Sequence, residues 1–189
     1  MVHDVGDFEA FRKYFEEGEA ERAKAGVLGY LLSRLNDGRV VIHFFAKDVK
    51  EVEAALNSPR MQEHLSRKGA PDASLVWVTV DERVTIPASP PTGKTWSLFF
   101  KLKTPDVAKF TKAFEDLSKV YPEQGVIGAG LHRSTSQEDV VIVHFMGTDR
   151  EKLSALATQP EFIELIGLAG GPAAPTGLFG EDLARSRPK

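Results

Sequence analysis

The chain has 189 residues, 42% of them hydrophobic, enough to bury a core as one large domain or two small ones. A net charge of -3 and a pI near 6.0 leave no basic footprint for nucleic acid or anionic lipid. Cysteine is absent, which excludes disulfides, thiolate metal sites and cysteine nucleophiles.

Asp4, Asp7 and Glu9 arrive at once, unlike a secretion signal, and the longest apolar runs are strand-sized rather than the ~20 residues of a bilayer span. A soluble, cytoplasmic protein is the expectation. Met1–Val5 reads as a short first strand. Phe8, Phe11 and Phe15 then fall at i+3/i+4 spacing, one apolar helix stripe, and Gly26 lies where that helix should have ended. Val27–Leu35 reads as a strand that turns back through Asn36-Asp37-Gly38 into Val40-Val41-Ile42-His43-Phe44-Phe45. Asp48 caps a second helix, which Asn57-Ser58-Pro59 interrupts because proline cannot continue the hydrogen-bond ladder; a helical piece resumes through Met61 and Leu65. Leu75–Val80 is the fourth strand, and Pro87–Gly93 is a linker.

The same series then recurs. Asp7, Phe11, Phe15, Gly26, Val27, Gly29 and Arg34 match Asp106, Phe110, Phe114, Gly125, Val126, Gly128 and Arg133 at a constant offset of 99 (26 to 125). After the next turn the offset becomes 101 (43 to 144) and holds through Asp48 and Asp149, Pro59 and Pro160, Gly69 and Gly170, and Pro71 and Pro172. Two offsets kept in step along a chain indicate a tandem duplication. Each copy reads β-α-β-β-α-β, with residues 1–86 the first ferredoxin-like repeat, 87–93 the linker, 94–183 the second repeat and 184–189 a tail. Two strands look defective, Met1–Val5 against Trp96–Lys103, and Pro172–Gly180 against Leu75–Val80. Either they are short or the copies lend strands to each other.

The one ionisable residue inside each matched strand is a histidine, His43 in the first and His144 in Val141-Ile142-Val143-His144-Phe145-Met146. Val40, Ile42, Phe44 and Ala46, like Val141, Val143, Phe145 and Gly147, form the wholly apolar set and should face the helices. His43, Phe45, His144 and Met146 should then face the other way, into an enclosed apolar space where an imidazole can bind a polar group or act as general base. Gly29 and Gly128 should lie near the histidines, leaving room for a ligand, with Tyr30, Trp77, Trp96 and Phe100 as aromatic walls. The structural alternative is a pair of satisfied core histidines, since shared descent alone would repeat them. A metal site is not expected: His132 is placed about four residues, or ~13 Å, along the strand from the level of His144. His64 on the broken helix is read as a half-exposed edge residue, and Arg34 and Arg133 as solvated strand ends. No phosphate-binding glycine loop opens a helix, and nothing local marks a serine nucleophile.

The sequence resembles the dimeric α+β barrel superfamily, which includes antibiotic-biosynthesis-type monooxygenases and stress-responsive proteins. The resemblance rests on Asp7-Phe8-x-x-Phe11, Gly26-Val27-Leu28-Gly29, Asp48 before the second helix, and Ser58-Pro59-x-Met61 leading to Gly69-Ala70-Pro71. It implies two ferredoxin-like halves packed sheet to sheet as an intramolecular pseudo-dimeric barrel, in a monomer or a homodimer. It also implies a small apolar or aromatic ligand and, if catalytic, cofactor-free oxygenation or cyclisation/isomerisation with no metal. Related oxygenases often place an Asn on the first strand, and neither Met1–Val5 nor Trp96–Lys103 contains one. The alternative is a non-catalytic stress-related or assembly module whose interior is filled by its own side chains.

Overall fold

The computed structural model describes residues 2–56, 58–59, 79–85, 92–117, 120–135, 137–170 and 177–186. The chain divides into two compact units, Met1–Val78 with Asp182–Lys189, and Thr79–Glu181.

In the first unit β1 (Val2–His3) is followed by α1 (Phe8–Glu17), α2 (Glu19–Lys24), β2 (Val27–Leu35), β3 (Val40–Ala46) and α3 (Val49–Leu56). Asp7 starts α1 by accepting a hydrogen bond from the Ala10 amide at 3.1 Å, a side-chain N-cap. Gly38 holds φ at +88°, the left-handed conformation the hairpin turn requires. Strand β3 lies between β1 and β2, antiparallel to both. Phe8 and Phe15 of α1 meet Tyr30, Leu32, Val40 and Ile42, so the wholly apolar set of β3 does face the helix.

In the second unit β4 (Thr79–Thr85) and β5 (Thr95–Lys103) precede α4 (Val107–Leu117), β6 (Val126–Ser134) and β7 (Val140–Gly147). Next come α5 (Arg150–Ala155), a 3-10 turn at Leu156–Thr158, α6 (Pro160–Leu168) and β8 (Leu178–Ser186), which runs on into the first unit. The order β5-β7-β6-β4 is antiparallel throughout. Asp149 caps α5, accepting from the Glu151 and Lys152 amides at 3.0 and 3.1 Å, and Pro160 restarts the helix after the break read from the sequence. Val141, Val143 and Phe145 pack under Phe110, Phe114 and Phe162, again the apolar set against the helices. Burial of this face supplies most of the stabilising free energy of the unit.

Two sequence expectations change. The fourth strand is expected at Leu75–Val80; among the described residues the ladder runs Thr79–Thr85, past the expected end, and pairs with β6, from Thr79 opposite Ser134 to Thr85 opposite Ala129. Residues 75–78, and the linker as far as Pro91, lie outside the described residues. The Pro- and Gly-rich end was read as a defective strand with a tail from 184, whereas Leu178–Ser186 is one nine-residue strand. Its partners explain this: the Ser33 hydroxyl donates to Asp182 Oδ1 at 2.6 Å, and Leu183 and Ala184 pack on the core of the first unit.

Tyr121 is buried against Phe114 and Phe145, and its hydroxyl has no hydrogen-bond partner among the described residues. Burial raises its pKa above the usual phenol range. Removing an unpaired buried hydroxyl while keeping the ring relieves a desolvation cost. Tyr121→Phe is therefore expected to raise stability by about 1 kcal/mol, read as a shift of the urea midpoint.

Candidate functional site

The second unit builds its most distinctive polar cluster on the sheet face away from the helices. His144 of β7 lies opposite Phe99 of β5 on one side and Gly130 of β6 on the other. Its ring stacks on Phe99 with centroids 4.4 Å apart and only 6° between planes. Its Nε2 is 3.0 Å from the Ser97 hydroxyl, and Ser97 is wholly buried. Which of the two donates depends on the imidazole tautomer, so Ser97 fixes the ring without fixing the proton. His132 stands opposite Ile142, a diagonal neighbour of His144 on the same face.

This register overturns one expectation. His132 was placed four residues from the level of His144, but it is two, and the two rings bring a nitrogen each within 4.8 Å of the other. The cause is where the turn sits: pairing runs in one register from Arg133 opposite Val141 to Gly128 opposite Met146, so Gly130, not Gly128, stands opposite His144. The first unit runs likewise from Arg34 opposite Val40 to Gly29 opposite Phe45, with Leu31 opposite His43, and in both hairpins the irregularity, between Val126 and Gly128 or Val27 and Gly29, lies beyond these pairs.

The predicted aromatic walls need a second correction. Phe100 packs on Phe162 at 4.9 Å, Trp96 packs against the same helix-side core, and Tyr30 meets Phe15 edge-on at 4.9 Å. All three lie on the helix side of their strands, opposite to the histidines, because strand side chains alternate and β5 pairs Phe99 rather than Phe100 with His144. Trp77 and His64 lie outside the described residues. In the first unit His43 is half-buried and stacks on Phe45 at 4.7 Å. Met146 is half-buried beside His144 on β7. Arg34 stands over the Phe8 ring at 5.0 Å, which accounts for it by packing.

The His144 imidazole keeps some accessible surface, yet enough protein surrounds it that burial, first, and the neighbouring His132 pull its pKa down to about 3. The unfolded chain protonates this residue near about 6.5, so below that value the unfolded state binds the extra proton. Stability from this group is complete above about pH 6.5 and declines as the pH falls through the acid range. The expected slope is at most about 1.4 kcal/mol per pH unit. His144→Gln, which cannot titrate, should flatten that limb when urea midpoints at pH 7 and pH 5 are compared.

The described surface hollows are elsewhere. One of about 400 Å³ is lined by Thr104, Pro105, Asp106, Val107, Glu138 and Asp139; another of about 600 Å³ runs along α4 beside Arg133. Both are open surface depressions on the helix side of the second unit.

A helix-backed antiparallel sheet with this element order defines the ferredoxin-like α+β class. Within it, solved structures of monooxygenase-like proteins share the fold. The chain is similar to an anthrone oxidase-like protein with a TM-score of 0.68 and 11% identity, over 98% of this chain and 90% of that one. A monooxygenase-like protein from Listeria innocua matches with a TM-score of 0.61 and 9% identity, over 97% of this chain and 92% of that one. A ferredoxin-fold protein related to antibiotic biosynthesis monooxygenases, from Listeria monocytogenes, matches with a TM-score of 0.55 and 10% identity, over 96% and 90%. No family model matches the chain, and no curated protein does. At such identities the likeness carries the fold alone. Among the described residues, no helix is long and apolar enough to cross a membrane.

Proposed function

We propose that the chain is a small-molecule-binding protein of the monooxygenase-like fold, whose second unit takes an apolar or aromatic ligand on the sheet face around His144. The observation that carries the reading is the seating of that imidazole: flat on Phe99, bonded to Ser97, and with a residue that lacks a side chain, Gly130, directly across from it. A flat aromatic ligand gains from stacking and desolvation there, and the imidazole supplies one oriented polar contact. With its pKa lowered, His144 is neutral at pH 7 and offers a ligand an uncharged hydrogen-bonding contact rather than a strong base. If the protein is catalytic, the likeness of its fold to monooxygenase-like proteins favours cofactor-free oxygenation or isomerisation of a bound aromatic molecule. The tandem repeat, with the resemblance to barrel-forming proteins, supports the two halves enclosing the ligand as an intramolecular barrel. His43 would be the second polar contact.

A non-catalytic module is favoured by one specific feature, the Phe99 ring lying over one face of the imidazole, since a protein that fills its own interior would look the same there. The experiment that separates the readings is a thermal-shift screen against hydroxylated polyketide-like aromatics and quinones at pH 7. Saturable stabilisation by a planar aromatic supports the ligand site. Stabilisation by none of them favours the filled module.

A further inference from the structure

We propose that His132 and His144 form a binding site for one divalent transition-metal ion of the zinc, copper or nickel type. The pair occupies diagonal positions on adjacent antiparallel strands, β6 and β7, on one face of the sheet. Diagonal neighbours are ~7–8 Å apart at the backbone, within reach of two imidazoles. Here a ring nitrogen of each already lies within 4.8 Å of the other. A tetrahedral ion with Zn–N bonds of ~2.0–2.1 Å asks for about 3.3 Å between the nitrogens, a gap that small side-chain rotations close. Imidazole nitrogen is a ligand this group of metals takes readily, whereas calcium and magnesium take oxygen ligands.

The setting is a built one. His132 is 4% exposed and Ser97 is 0% exposed, so both are held by packing on rigid strands rather than on a loop. The Ser97 hydroxyl, 3.0 Å from His144 Nε2, is the neighbouring group that either orients the ring or joins the coordination shell. Water completes the remaining positions. The metal site uses side chains of the proposed ligand face but does not depend on an organic ligand binding there.

The test is titration of the metal-stripped full-length chain with Zn²⁺, and separately Ni²⁺, at pH 7.5 by calorimetry and by competition with a chromophoric chelator. The expected result is one equivalent bound, weakened ~100-fold or more by His132→Ala and by His144→Ala. His132→Asn and His144→Gln serve as a second pair that preserves polarity, and circular dichroism confirms that each variant is folded. Absence of a one-to-one site, or undiminished binding in both folded alanine variants, overturns the assignment. An aromatic probe titrated in excess chelator keeps the two proposals apart: its binding there upholds the ligand face whatever zinc does, and zinc binding without probe binding upholds the metal site alone.

Discussion

Phe145→Ala is expected to destabilise the second unit by about 3–5 kcal/mol, the cost of an aromatic-to-alanine truncation in a close-packed core. Phe145 is completely buried, and three rings meet it: Phe114 at 5.9 Å, Tyr121 edge-on at 5.1 Å and Phe162 edge-on at 5.6 Å. Those rings come from α4, the turn after it and α6, so one truncation loosens every helix-side layer at once. Folded domains hold only about 5–15 kcal/mol in reserve, and a loss of this size should leave much of the chain unfolded near 37 °C. Urea denaturation followed by tryptophan fluorescence checks it, since Trp96 packs against the same core. A midpoint within experimental error of the wild type would show that the cluster does not hold the unit together.

His144→Ala is expected to weaken binding of the aromatic ligand by about 5–30-fold, the worth of one hydrogen bond to a polar contact plus lost stacking area. The matching change in the first unit, His43→Ala, should do less. Opposite His43 stands Leu31, whereas the residue opposite His144 is Gly130, which has no side chain to cover the ring. His144 also has a buried hydroxyl to orient it, which lowers the ordering cost on binding. Parallel titrations of the two variants with one probe measure the difference. Equal and negligible effects would remove both histidines from the ligand site.

The halves differ at several matched positions, among them Phe45 against Met146 and Tyr30 against Ala129, and not all of these bear on the histidines. Tyr30 and Ala129 belong to the helix-side cores and say nothing about the histidine face. The informative differences are Leu31 against Gly130 and Ser33 against His132, one strand over. Those were legible in principle, because the offset of 99 pairs them, but their partners depend on where each hairpin turns. Alternation alone gives the face of a strand and leaves its register to the turn.

Helix positions were the most legible part, since the phenylalanine stripes of α1 and α4 and the capping residues Asp7 and Asp149 are local signals. The helix-facing set of the histidine strands followed from alternation and matches the two cores. The site itself was only half visible. In Thr95–Lys103 the set Leu98, Phe100 and Leu102 is wholly apolar and the set Ser97, Phe99 and Lys101 is mixed, so the mixed set was the one to place beside a histidine. Trp96 and Phe100 belong to the apolar, helix-side set despite their large rings. The partners of β4 and β8 were open in the sequence, with strand lending between the copies only one of two alternatives, because strand pairing at long range leaves no local trace in composition.

The central claim is that the sheet face carrying His144 is where a planar aromatic molecule binds. Amide and methyl NMR shifts recorded during titration with a hydroxylated naphthoquinone test it most directly. The account predicts saturable shifts concentrated at Ser97, Phe99, Gly130, His132, His144 and Met146. Shifts confined to the helix side, at Trp96, Phe100 and Phe162, or no saturable shift anywhere, would contradict it.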